Sequence, residues 1–89
     1  MLSLITTSHF RKDLKRQKKR GYDIEKLGPI LEKLVAGEPL SERFRNHKLT
    51  CNYANRWECH IEPDWLLIYR ITPTTLFLER TGSHSDLFS

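Results

Sequence analysis

The segment from Trp65 to Ile71 places the strongest constraint on the fold, because Arg70 is its only charged residue. A strand that is apolar on successive positions is typical of a sheet with both faces covered. The segments 57–61 and 76–79 on either side follow the two-residue repeat of strands with unlike faces. Short turns that contain a proline, at 62–64 and 72–74, connect the three segments. The sequence therefore predicts three consecutive strands in a mainly antiparallel sheet.

The first residues predict a strand followed by a helix. Residues 2–6 have the composition of a short strand, and Thr7 or Ser8 can cap the helix that follows. The apolar side of this helix is thin and consists mainly of Phe10 and Leu14. We therefore expect the helix to lie on the surface of the domain.

A second helix is predicted to begin after Asp23, which can cap it, and to end at Gly37. Its core-facing side chains recur at helical spacing and are Ile24, Leu27, Leu31 and Leu34. Pro29 interrupts this pattern, so it either kinks the helix or restarts it in a first turn. The polar stretch 39–55 that follows is predicted to be irregular.

These elements predict an α+β fold in which two N-terminal helices pack on a mainly antiparallel four-stranded sheet. The chain has 89 residues, which is enough for one domain spanning residues 1–89. A domain of this size has no room for a deep, enclosed cavity. We expect a shallow surface groove as the active site, which suits a polymeric substrate.

The net charge of +4 is concentrated in the first helix. Residues 11–20 contain seven basic side chains and one acidic side chain, whereas residues 41–89 carry six of each sign. A local basic stripe attracts a polyanion such as RNA, although a solvated helix face or a patch for an acidic protein has the same composition. The candidate RNA-binding cations on this helix are Lys15, Arg16, Lys18 and Lys19.

The sequence predicts a cytoplasmic protein without a membrane partner. No apolar run approaches the roughly 20 residues of a membrane span, and the first five residues are too short and lack the basic region of a signal peptide. The two cysteines, Cys51 and Cys59, do not form the framework of a disulfide-rich domain. We expect reduced thiols.

Chemically active side chains gather near the predicted ends of the strands. They are His47, His60, Asp64 and His84, with Arg80 nearby. RNA can be cut without a metal when a base takes the 2′-hydroxyl proton and an acid protonates the leaving 5′-oxygen. Histidine suits both tasks because its unperturbed pKa is about 6.5. A cation such as Arg80 can stabilise the charge that develops on the phosphate, and no cofactor is predicted.

Other interpretations of these residues exist. Cys51, Cys59 and the histidines are potential zinc ligands, but the sequence contains no Cys-x-x-Cys or His-x₃₋₅-His pair. Trp65 and Phe88 are candidates for stacking on RNA bases. Trp65 opens the apolar strand, which favours the core for this residue. Phe88 is better placed for binding, with docking onto the sheet as the other interpretation.

Two long motifs carry a family resemblance. Residues 60–69, which read HIEPDWLLIY, and residues 79–88, which read ERTGSHSDLF, resemble YafQ-type toxins of the RelE superfamily. The segment Asn46-His47-Lys48-Leu49 and the start of the first helix resemble the same family. The resemblance extends over essentially the whole chain.

The resemblance implies a function that composition does not. Such toxins enter the ribosomal A site and cleave mRNA there, and a DinJ- or RelB-like antitoxin blocks them. The toxin–antitoxin complex commonly represses its own operon, so contact with operator DNA is expected only through that complex. By motif position the acid–base group is His47, His60, Asp64 and His84. Arg80 is then the phosphate-stabilising cation, Phe88 helps to hold the nucleotide, and the basic helix contacts ribosomal RNA. Which group is base and which is acid stays open, with His84 favoured as the acid and Asp64 or His47 as the base.

The chain departs from the family pattern in two places. Cys51 and Tyr53 stand where relatives often have glycine and tryptophan. Trp57 stands where they often have arginine, and Arg56 is displaced by one residue, which moves a strand side chain to the opposite face. Two alternatives to a ribosome-dependent nuclease therefore stay open. One is a module that binds antitoxin, DNA or ribosome without cutting, and the other is a nuclease that acts on free RNA.

Overall fold

A computed structural model describes residues 1–49 and 55–88 of the chain. Its secondary structure comprises strands β1 (Ser3–Thr6), β2 (His47–Lys48), β3 (Trp57–Glu62), β4 (Trp65–Ile71) and β5 (Thr75–Gly82), helices α1 (Ser8–Lys19), α2 (Leu27–Ala36) and α3 (His84–Phe88), and 3₁₀ turns at Ile24–Lys26 and Glu42–Phe44. The predicted α+β class is confirmed. No helix in residues 1–49 and 55–88 is long and apolar enough to cross a membrane.

The strands form one sheet in the order β1-β5-β4-β3-β2. β1 pairs with β5 in parallel, and every other neighbouring pair is antiparallel. The predicted count of four strands is therefore one too low. The additional strand, β2, is two polar residues in the stretch predicted to be irregular, and its periodicity is too short to read from sequence. It exists because His47 and Lys48 pair with Glu58 and Trp57 of β3.

β4 is the central strand, as its apolar sequence predicts. Residues 65–69 are all buried. Trp65, Leu67 and Tyr69 pack in the main core with residues of α1 and α2. Leu66 and Ile68 face the other side, where Leu87 of α3 covers them. α3 is thus held on the opposite face of the sheet from the two longer helices.

α1 begins at the predicted cap, since the backbone N–H of Phe10 donates to Thr7 Oγ1 at 3.0 Å. The inner face of this helix differs from the prediction. Phe10 is buried, but Asp13 and Gln17 are buried beside it, while Leu14 is only partly covered. A carboxylate inside the protein requires charged partners, and these are described with the site below.

The second helix restarts, which settles the two alternatives for Pro29. The backbone N–H of Glu25 donates to the capping carboxylate of Asp23 at 3.1 Å and opens a 3₁₀ turn. The α-helical part then begins at Leu27, so Pro29 lies in its first turn, where a missing N–H costs no helical hydrogen bond. Gly37 ends α2 in the left-handed conformation, with φ of 73°.

Candidate active site

A buried carboxylate lies at the centre of the candidate site. Glu58 is 3% exposed, and its Oε1 lies 3.3 Å from Nε2 of His47 and 3.3 Å from Nε2 of His60. Strand pairing creates this arrangement. His47 is the direct partner of Glu58 across β2 and β3, and His60 follows two residues later on the same face of β3.

Backbone carbonyls fix the orientation of both rings. His47 Nδ1 lies 2.7 Å from the carbonyl oxygen of Arg45, and His60 Nδ1 lies 3.3 Å from that of Pro63. A carbonyl oxygen only accepts, so each Nδ1 carries a proton and each Nε2 is directed at Glu58. A second proton on either ring makes an imidazolium whose Nε2–H faces this carboxylate.

The turn after β3 brings Asp64 to the start of α3. The backbone N–H of His84 donates to Asp64 Oδ1 at 3.1 Å, and His84 Nδ1 lies 3.6 Å from the same oxygen. Both side chains are exposed. The register of β3 against β4 shifts between His60 and Glu62, which bends the strand beside the histidines. Asp64 thus contacts the ring that the sequence favours as the acid.

The three histidines and Phe88 form a row on the surface. Ring centroids are separated by 6.3 Å from His47 to His60, by 5.9 Å from His60 to His84 and by 5.8 Å from His84 to Phe88. Phe88 is 45% exposed and stands at one end. We call His47, Glu58, His60, Asp64, His84 and Phe88 the histidine row.

The structure places the predicted phosphate-binding arginine in an ion pair. Arg80 donates from Nε to Asp13 Oδ2 at 2.6 Å and from Nη2 to Asp13 Oδ1 at 3.2 Å. The backbone N–H of Thr81 adds a third hydrogen bond to Asp13. A bidentate ion pair of this kind holds the guanidinium in a fixed orientation.

Trp65 does not belong to the site, so its predicted role in RNA binding is wrong. Its side chain is fully buried, its Nε1 donates to Thr81 Oγ1 at 2.9 Å, and its ring packs against Tyr22 with centroids 5.1 Å apart. A base has no access to the indole. The residue opens β4 on the face that α1 and α2 cover, which is the core alternative that the sequence left open.

Near its C-terminal end, the basic helix has arginines that bind carboxylates and lysines that face solvent, whereas Arg11 in its first turn bonds to Thr6. Arg16 Nη2 lies 3.0 Å from Asp13 and 3.7 Å from Asp86, so this predicted RNA-binding cation lies in an internal ion-pair network. Arg20 makes a fork-like contact with Asp86, with N–O distances of 2.6 and 3.1 Å. The remaining candidates, Lys15, Lys18 and Lys19, are exposed.

Asp86 links α1 to the helix that carries His84 and Phe88. Its Oδ2 accepts the backbone N–H of Ser83 at 2.9 Å, and hydrogen bonding from Arg20 holds the pKa of this carboxyl well below its usual range. Gly82 makes the close approach possible, since a Cβ there would lie 2.8 Å from Asp86 Oδ2. Its φ of +154° adds a second reason for glycine.

The metal alternative receives no support from the described residues. Within residues 1–49 and 55–88, no group of three His, Cys, Asp or Glu side chains is arranged to hold a metal ion. Burial raises the pKa of the Cys59 thiol to about 12, which disfavours the thiolate that zinc requires. Cys51 lies outside the described residues, as does Tyr53. Of the other departures, Trp57 packs at the edge of the main core, and Arg56 donates to Glu79 at 2.8 Å.

Sequence reasoning did not select Glu58. The signal was present, because the alternation of β3 places this residue on the face of His60 rather than on that of Cys59. What sequence could not supply was the short strand β2, which brings His47 to the same carboxylate.

Comparison with known proteins identifies the family. The family described as "Bacterial toxin of type II toxin-antitoxin system, YafQ" matches residues 2–89. A relative from Escherichia coli (strain B / BL21-DE3), named mRNA interferase toxin YafQ, is 37% identical over 83 residues, which cover 92% of this chain and 90% of the relative.

Solved structures agree. A crystal structure of the E. coli DinJ–YafQ complex superimposes with a TM-score of 0.92 at 34% identity, covering 100% of both chains. A crystal structure of a metal-bound toxin from Helicobacter pylori superimposes with a TM-score of 0.92 at 41% identity, covering 99% of this chain and 100% of that one. The fold is that of a small bacterial toxin domain. The chain belongs to the YafQ family of toxins from type II toxin–antitoxin systems, which confirms the predicted family.

Proposed function

We propose that this toxin is an endoribonuclease that cleaves mRNA by acid–base catalysis in the histidine row. The observation that carries the proposal is the contact of one buried carboxylate, Glu58, with both His47 and His60 beside the exposed His84. The name of the E. coli relative supports the substrate, since it is called an mRNA interferase toxin.

The reaction needs two proton transfers. The His47–Glu58–His60 unit takes the 2′-hydroxyl proton, the 2′-oxygen attacks phosphorus, and the bond from phosphorus to the 5′-oxygen breaks. His84 donates a proton to that leaving oxygen, so the products are a 2′,3′-cyclic phosphate and a 5′-hydroxyl. Each positioned acid or base contributes roughly 10²–10⁴-fold. Both proton transfers of this scheme are carried out by side chains of the protein.

The structure favours particular roles within that scheme. Glu58 stabilises the imidazolium that forms when His47 or His60 accepts the proton, because its Oε1 faces both Nε2 atoms. Asp64 contacts Nδ1 of His84, which is the position from which a carboxylate orients an imidazole and stabilises its charged form. We therefore assign Asp64 to the orientation of the acid rather than to the base. Phe88 holds the flanking nucleotide, and Arg80 offsets the phosphate charge from its fixed place beside Asp13.

The ribosome is the proposed place of cleavage. Lys15, Lys18 and Lys19 are exposed on α1 and suit contact with ribosomal RNA. A DinJ-like antitoxin is the proposed partner, because the similar E. coli toxin was solved in complex with DinJ. Contact with operator DNA follows only through such a complex, and all these partners are cytoplasmic.

Primer extension on a translated mRNA tests the proposal. Cells that lack the antitoxin express the wild-type toxin, His84→Ala, Asp64→Ala or the control His9→Ala, which removes an exposed histidine of α1. We expect cuts within the A-site codon for the wild type and the control, and at least a 100-fold loss for the His84 variant.

Three outcomes contradict the proposal. Full cleavage by both site variants would reject the assigned residues. Ribosome binding without any cutting by the wild type would indicate the non-catalytic module instead. Equal cutting of purified, ribosome-free RNA would show that the ribosome is not required.

A further inference from the structure

A groove adjoins the histidine row on the side of His60. It encloses about 460 Å³ and lies between the turn that follows β3 and the two 3₁₀ turns. The side chains that matter for its chemistry are Lys26, Arg43, Phe44, Arg45, His60 and Glu62. The groove and the row share His60, so a chain lying across the row continues into the groove.

The groove is positively charged. It has three basic side chains and one carboxylate, and Glu62 lies 3.4 Å from the ammonium group of Lys26. The excess charge therefore comes from Arg43 and Arg45. An anionic polymer is the complementary occupant.

The groove also has a flat surface. The guanidinium carbon of Arg43 lies 4.6 Å from the centroid of the Phe44 ring. Guanidinium planes and aromatic rings are the surfaces on which unpaired RNA bases stack. Both features suit one nucleotide, with stacking for its base and a cation for its phosphate.

The backbone ties this surface to the row. Arg45 has a positive φ of 46°, a left-handed conformation that non-glycine residues adopt only at some cost. In this conformation its carbonyl oxygen lies 2.7 Å from His47 Nδ1. The segment that contains Arg43 and Arg45 is thereby held next to the His47 ring.

We propose that this groove is a subsite for one mRNA nucleotide next to the scissile phosphate, with the base stacked on Arg43 and the phosphate paired with Arg45. His84 and Phe88 continue the row from the other side of His60. The groove and Phe88 thus bind nucleotides on opposite sides of the cleaved bond. This inference rests on the proposed nuclease function and adds its substrate contacts.

Cleavage of mRNAs that carry a single abasic residue tests the subsite. Ribosomes are programmed with intact mRNA, or with mRNA abasic at the nucleotide on either side of the cut. We expect Arg43→Gln to lower kcat/KM about tenfold on intact mRNA, within the roughly 1–3 kcal/mol that one stacked base contributes. The control Lys33→Gln removes the same charge from the exposed face of α2 and should leave kcat/KM unchanged.

For the wild type, an abasic residue on the groove side should lower kcat/KM by a similar factor. For Arg43→Gln, the same abasic residue should cause little further loss, because the stacking contact is already missing. Arg43→Lys keeps the positive charge but lacks the planar guanidinium on which a base stacks. Its kcat/KM should therefore lie between those of Arg43→Gln and the wild type.

The outcomes separate the subsite from the nuclease function. Normal wild-type cleavage together with an unimpaired Arg43→Gln variant overturns the subsite alone. The subsite is also overturned if the loss from Arg43→Gln multiplies with the loss from the abasic residue at both positions, because Arg43 then does not contact either base. Unchanged cleavage with weakened antitoxin binding assigns the groove to the antitoxin. Absence of wild-type cleavage overturns the proposed function itself.

Discussion

Asp13 and Glu58 are both carboxylates inside the protein, 4% and 3% exposed, but they serve different purposes. Asp13 binds Arg80 and Arg16, at 2.6 and 3.0 Å, and links α1 to β5. Glu58, on strand β3, faces two histidines at 3.3 Å. Arginine keeps its proton at any pH that a cell experiences, whereas histidine exchanges it near neutrality. A buried carboxylate thus holds two elements together in one region and contacts two histidines of the candidate site in the other.

Asp13→Asn should have the largest effect of the variants that test this comparison. It leaves Arg80 and Arg16 without their carboxylate. Because these side chains are 25% and 41% exposed and can be hydrated, we expect the lost charge-assisted hydrogen bonds to cost about 2 kcal/mol. We expect the free energy of unfolding in urea to fall by that amount, while the exposed control Glu32→Gln changes little. A loss below about 1 kcal/mol would mean that the pair is not a structural clamp.

Glu58→Gln should show the opposite pattern. The amide keeps the size of the side chain but cannot stabilise an imidazolium, so we expect cleavage to fall roughly 100-fold. The free energy of unfolding should change much less than for Asp13→Asn. Retained cleavage with a large loss of stability would reverse the roles that we assign to the two carboxylates.

Arg20→Gln should affect cleavage through the position of α3. The Arg20–Asp86 contact lies two residues from His84 and two from Phe88, so we expect about a tenfold loss in kcat. Asp86→Asn should cause a similar loss, and the double variant should be no worse than either, because both remove one contact. Additive losses would show that the two residues act separately.

Acid should reduce the effect of Asp86→Asn on stability. The pKa of Asp86 is lowered in the folded protein, chiefly by Arg20. Its contribution to stability is therefore fully present above the unfolded carboxyl pKa of about 3.9 and declines as the pH falls below it. Urea unfolding at pH 7 and at pH 3 should show a smaller difference between wild type and variant at the lower pH.

The exposed lysines should produce the smallest effect. Lys18→Gln with Lys19→Gln should weaken ribosome association a few-fold and reduce its salt dependence, because each phosphate contact contributes through counterion release. Lys33→Gln serves as the single-charge control. An equal response to Arg16→Gln, measured with ribosomes at two salt concentrations, would contradict the division of α1 into internal arginines and free lysines.

Local patterns identified much of the fold. The apolar run of β4 predicted its central place, and Thr7 and Asp23 cap the helices as expected. These signals are readable because each depends on neighbours within a few residues. Trp65 shows the limit of such reading. Its place at the start of the apolar strand favoured the core while its aromatic ring allowed base stacking, and the helices that cover β4 decide between the two.

The sequence by itself determined the α+β class, the strand order from β3 to β5 along the chain and the face on which His60 lies. The tertiary structure alone decided the partners of the charges. Asp13 meets Arg80 across a separation of 67 residues, and Glu58 joins two histidines only because a two-residue strand pairs beside it. The physical reason is the separation along the chain over which each interaction acts. Periodicity and capping act within one element, whereas the partner of a buried charge is set by which elements pack together.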